Sequence, residues 1–137
     1  MVCGSLSNAS KMEDAKKQLE ANGHEAVATQ DLGLFIANPD RADDLDADLK
    51  HCIENDMLRE FMDLVASSNA LLVLNYPKNG TDGYIGTSVI IELGLGYYLR
   101  KKLFILNPLP DYHKVRWAHE VAMMNPICIN ADLTKIR

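Results

Sequence analysis

The sequence predicts an α/β domain: a mostly parallel sheet with helices packed on both faces. Three observations carry this. "ALLVLNY" (residues 70–76) and "KLFILNP" (102–108) are continuous apolar runs of strand length, as expected of strands covered on both sides. Segments with helical spacing of apolar residues alternate with such runs along the chain. Gly- and polar-rich loops, "CGSLSNAS" and "PKNGTDGYIG", stand where a strand gives way to a helix.

"MVCGS" is short and apolar and ends in Gly-Ser, as a first strand running into a loop. "SNASKMEDAKKQLEANG" reads as a helix. Ser and Asn are capping residues, Met12, Ala15 and Leu19 fall on one face, and Gly23 stops it. "HEAVAT" is expected to be a second strand. Residues 31–50 read as acidic and irregular, with "LGLFIANP" an apolar island suited to covering a pocket. A helix from about Ile53 to Ser67 would turn Met57, Leu58, Phe61, Leu64 and Val65 inward. After the 70–76 strand, a helix is expected from about Thr87 to Arg100. The 102–108 strand is ended by Pro108 and Pro110. A helix from about His113 to Met124 and a last strand in "PICIN" complete the chain.

The order β-α-β-α-β-α-β-α-β describes one domain over residues 1–137. It is a three-layer sandwich around a five-stranded, mostly parallel sheet, flavodoxin- or Rossmann-like. Ligands of such sheets bind beyond the carboxyl ends of the strands. The loops after Cys3, Leu74 and Leu106 are therefore expected to face one crevice.

Composition narrows the function. A chain of 137 residues can bury a real core, and no window reaches the ~18–20 apolar residues of a membrane span. "MVCGSLSNAS" lacks the basic start and apolar run of a signal peptide. Net charge is −5, and acids crowd into "DRADDLDADLKHCIEND", which argues against a nucleic-acid polymer as partner. A small anion remains compatible, because a few backbone amides can hold it. Cys3, Cys52 and Cys128 are odd in number and widely spaced without CxxC, as free thiols of a reducing cytoplasm are. His24, His51, His113 and His119 share no ligand spacing with them, so no metal is expected.

Two loops enter helices at the crevice. The first offers Gly4 and the hydroxyls of Ser5, Ser7 and Ser10; the second offers Gly86, Thr87 and Ser88. Free amides and the helix dipole at such starts favour a phosphate or sugar hydroxyls, though ordinary N-caps look the same. Glu92 is the sharper signal: a lone carboxylate inside "SVIIELGLGYY", four residues after Ser88 and so on its face of the helix. Near a helix start it is expected to be ionised and able to attack. It is equally consistent with a buried glutamate satisfied by an amide or by Arg59 or Arg116. Asp63 is either a solvated residue or a second acid, and Asp82 and Tyr84 lie in the loop ahead of Glu92. His119 and Trp117 fit a packing pattern with Val121.

"VCGSLSN", "SSNALLVLN" and "SVIIELGLGYYLRKKLFIL" together resemble the nucleoside 2-deoxyribosyltransferase superfamily, which includes the 2′-deoxynucleoside 5′-phosphate N-glycosidases. The similarity runs from about Val2 to Pro108. It implies that Glu92 attacks C1′ of the sugar, with Asp63 as the second acid. It also implies that Gly4 and Ser5 contact the 5′ end of a nucleotide. Asn75, with Asn69, stands where relatives often carry an aspartate beside the central strand. Asn75, Tyr84, Gly86, Thr87 and Ser88 are the other expected substrate-binding positions. The first loop has no arginine for a 5′-phosphate. The implied activity is cleavage or transfer of the N-glycosidic bond of a (2′-deoxy)nucleoside or its 5′-monophosphate, without a cofactor. A homodimer or larger assembly would close the site, with Leu34 to Ile36 as its apolar face. The alternative is a non-catalytic module that senses a nucleotide in the same crevice.

Overall fold

A computed structural model describes the whole chain, Met1–Arg137. Its sheet is built from β1 (Val2–Gly4), β2 (Ala70–Leu74), β3 (Lys102–Ile105) and β4 (Ile127–Cys128). The four strands pair in that order and all run parallel. The helices are α1 (Ala9–Ala21), α2 (Leu32–Ala37), α3 (Leu45–Glu54), α4 (Met57–Ser67), α5 (Thr87–Tyr98) and α6 (Arg116–Met123). None is long and apolar enough to cross a membrane.

Strand alternation divides the core in two. Val2, Leu72, Leu74 and Phe104 pack with Met12, Ala15 and Leu19 of α1 and Leu32 and Phe35 of α2. Cys3, Leu71, Val73 and Ile105 pack with Val65 of α4, Val89 and Leu93 of α5 and Val121 of α6. Between β1 and β2 the chain therefore crosses from one face of the sheet to the other. A crossing of this kind leaves a crevice at the carboxyl ends of the two strands.

Three sequence expectations are corrected. "HEAVAT" forms no strand, so the sheet has four strands and not five. Only one backbone bond, Val2 N to Val27 O at 2.8 Å, joins it to β1, which at three residues is too short a template for a ladder. Residues 31–50 are mostly helical: α2, a 3₁₀ turn over Pro39–Asp43 and the start of α3. The crowded acids explain why. Asp44 caps α3 by accepting from Ala47 N at 3.1 Å, and Asp46 and Asp48 sit in its first turn, where the helix dipole favours them. Lastly, the helix expected from Ile53 is broken at Asp56, whose φ of 47° separates α3 from α4.

Candidate functional site

A cavity of about 280 Å³ opens at the carboxyl ends of β1 and β2, near the lower limit for small-molecule sites. Gly4 and Ser5 line it from the first loop, and Gly86, Thr87 and Ser88 from the second. Tyr84 forms part of the wall, its ring edge-on to Trp117 with centroids 6.0 Å apart. Glu92 also lines the cavity. A larger hollow of about 620 Å³ lies at the amino ends of the strands, but Glu25, Lys102 and Arg137 on its walls are exposed and no buried acid faces it.

Glu92 is the sixth residue of α5 and only 6% exposed. Its Oε2 is buried and makes no hydrogen bond. Neither arginine proposed as its counter-ion is available: Arg59 Nε pairs with Asp56 Oδ2 at 2.7 Å and Arg116 with Glu120 at 2.6 Å. Burial pushes the Glu92 pKa up to about 7; the neighbouring Cys3 thiol offsets part of this, and the charge of Glu60 adds to it. The expectation of full ionisation is thus corrected. Glu92 lies beyond the first helical turn, where the dipole acts, and desolvation wins. Burial therefore works against the charged form near neutral pH.

Helix entry at the first loop differs from the capping expected. Ser5 Oγ and Ser7 Oγ stand 2.8 Å apart, and neither caps a helix. Both hydroxyls accept from Lys78 Nζ, at 3.1 and 3.3 Å. Lys78 was missed by sequence reasoning, which looked for an arginine in the first loop alone. "KNGT" held the signal. Asn79 and Gly80 both have positive φ, 51° and 72°, closing a tight turn whose arms pair Lys78 with Thr81. That turn sends Lys78 back over the first loop, where it meets Asp43 at 3.7 Å.

Asp63 is exposed on α4 and is not among the residues that line the cavity. Asp48 of α3 does line it, four residues before Cys52, which also reaches the wall. Asp82 is exposed. Asn75 is fully buried, and its side chain is engaged within the fold. Its Nδ2 donates to Asn107 O at 2.8 Å and Gly83 O at 3.4 Å, and its Oδ1 accepts from Asn107 N at 2.8 Å. The ends of β2 and β3 are thereby tied to the loop that leads to Glu92. The apolar island is not a continuous exposed face: Leu32 and Phe35 are core residues, Leu34 is half-buried, and Ile36 is exposed at 41%. The exposed apolar face is instead on α3, where Leu45, Leu49 and Ile53 recur every four residues. No cluster of three or more His, Cys, Asp or Glu side chains is placed to hold a metal ion.

Comparison with protein-family models, curated proteins and solved structures finds no match.

Proposed function

We propose that this chain cleaves or transfers the N-glycosidic bond of a 2′-deoxynucleoside 5′-monophosphate, with Glu92 as nucleophile. One observation carries this: a buried carboxylate with no cation beside it lines a cavity between two helix-entry loops. A purely structural glutamate has no reason to go unpaired, since burying it costs several kcal/mol. In the proposed reaction a Glu92 oxygen bonds to C1′ while the C1′–N bond breaks and its electron pair leaves with the base. Water or a second base then displaces Glu92, restoring the carboxylate, as in retaining glycosidases. Asp48 takes the place given to Asp63, orienting the sugar or exchanging a proton with the departing base.

The 5′-monophosphate is preferred to the free nucleoside because of Lys78, held by Ser5 and Ser7 at the cavity wall. Lys78→Met is expected to raise KM for the monophosphate roughly tenfold to a hundredfold, as charged hydrogen bonds of about 1.5–3 kcal/mol require. KM for the nucleoside should hardly move. Equal effects on both substrates would remove the phosphate assignment. Steady-state kinetics on the two substrates, with freed bases separated by chromatography, decide it.

Because only the ionised carboxylate attacks, kcat/KM should rise with pH and level off above about 7, the value to which burial lifts Glu92. A profile already flat at pH 5 would contradict this. The proposal further takes the sheet as Rossmann-like, with 24–29 standing where a fifth strand would pair with β1. It places the chain in the cytoplasm, as a homodimer whose α3 face of Leu45, Leu49 and Ile53 covers the cavity mouth; Leu45 already lines the wall.

A further inference from the structure

We propose that α3 is a lid over the cavity and that His51, bonded to Asp31, is the positioning residue that latches it shut. This rests on the reading of the cavity as a substrate site. Every other helix is fastened by buried residues, whereas α3 buries none. Yet Leu45, Asp48 and Cys52, spaced as one face of a helix, line the cavity. On the outer side Leu49 and Ile53 are left 60% and 71% exposed. The helix thus covers the cavity without belonging to the core. It is bounded by two turns on which it can pivot. One is the 3₁₀ turn Pro39–Asp43, and the other is Asp56, whose φ of 47° separates α3 from α4.

The fastening of α3 is polar and single. His51 Nε2 stands 2.6 Å from Asp31 Oδ2, with both side chains 20% exposed. Nδ1 of the same ring accepts from Asn55 Nδ2 at 3.2 Å, so the proton of the neutral ring is assigned to Nε2, which donates to Asp31. Asp31 precedes α2, which Leu32 and Phe35 anchor in the core. Its carboxylate makes no capping bond to α2 and goes to His51. The remaining side-chain bonds of α3 stay within residues 44–56: Ala47 N on Asp44, Asn55 on His51 O, and Lys50 on Glu54. Just ahead of the helix, Asp43 meets Lys78 at 3.7 Å; Asp43 is 73% exposed, so this second tie is weak. A helix with no core anchor and one outward latch is drawn from the low-stability end of the fold, as lids are. When shut, it holds Asp48, three residues before His51, against the cavity that Glu92 lines.

Amide hydrogen exchange on the whole protein tests this. In the unaltered chain the helical amides of α3 should exchange at least roughly tenfold faster than those of β2 and β3, through an opening that mild denaturant hardly accelerates. His51→Ala and Asp31→Ala should each quicken α3 roughly tenfold and leave the strands unmoved, and the double variant should add little to either. His51→Gln, which keeps a donor, should recover part of the difference. Exchange of α3 only together with the sheet overturns the lid, and that comparison needs no variant to fold. Access is read by N-ethylmaleimide. Cys3, which lines the cavity, should be alkylated roughly tenfold faster in His51→Ala, and Cys128, outside it, at an unchanged rate. An unmoved Cys3 rate means that α3 does not gate the cavity, and overturns the proposal. Finally, 2′-deoxynucleoside 5′-monophosphates added to Glu92→Gln should slow α3 exchange roughly tenfold. Protection of the cavity loops without α3 overturns the lid. No protection anywhere, with α3 still released in His51→Ala, removes the substrate reading and keeps the lid.

Discussion

Replacing Glu92 by Gln is expected to lower base release roughly 10⁴-fold or more while leaving nucleotide affinity within a few-fold, because the covalent step is lost and the shape of the site is kept. A nucleotide sensor would bind as tightly before and after the change and would release no base in either form. The same substitution has a second consequence that a glutamate held in an ion pair would not show. The folded-state pKa of Glu92, about 7, lies above its ordinary value of 4.5. A raised acid favours folding while protonated, so its contribution is complete below about pH 4.5, falls as pH rises, and is lost above about 7. The full rise corresponds to roughly 3 kcal/mol at most. Glu92→Gln should therefore melt higher than the unaltered protein at pH 8 and lose that advantage near pH 4.5. Thermal unfolding at the two pH values reads this directly. A variant less stable at pH 8 would mean that the carboxylate has partners the structure does not contain.

Gly83→Ala is the largest stability effect expected outside the cavity. Gly83 has φ +68°, and a Cβ there would fall 2.2 Å from Pro108 O, a rigid backbone atom. Left-handed strain of about 1–2 kcal/mol adds to an overpacking term of about 1–3 kcal/mol. The loss should be about 2–5 kcal/mol, or a fall in Tm of about 10 °C for a chain of this size. Because Gly83 O accepts from Asn75, the same change should loosen the loop that leads to Tyr84 and Gly86 and raise KM. A melting point within 2 °C of the unaltered protein would show that the loop can move away from Pro108 freely.

The parts of the fold legible in the sequence are those whose cause is local. Leu71–Leu74 and Leu103–Ile105 are buried on both sides of the sheet, and that requirement writes a continuous apolar run. Glu92 was visible because a single charge interrupts such a run. The two loops were visible as Gly-rich entries to helices, and both reach the cavity. What could not be read depended on distant partners. Ala26 and Thr29 are buried, yet pairing stops after Val27 because β1 ends. The partner of Asn75 is Asn107, 32 positions away, which the sequence gives no way to see. Lys78 likewise acquires meaning only when its turn folds over Ser5, 73 positions earlier. The acidic stretch hides α3 because crowded aspartates read as irregular chain, whereas Asp44, Asp46 and Asp48 begin a helix.

The most direct measurement captures the covalent intermediate. The protein is incubated with 2′-deoxynucleoside 5′-monophosphates that carry fluorine at C2′, which slows departure of the sugar, then digested and analysed by mass spectrometry. The expected result is one equivalent of fluoro-sugar phosphate on the peptide containing Glu92, formed as the base is released and absent in Glu92→Gln. Base release with no adduct, or an adduct on another residue, would contradict the assignment of this unpaired carboxylate as the group that attacks the sugar.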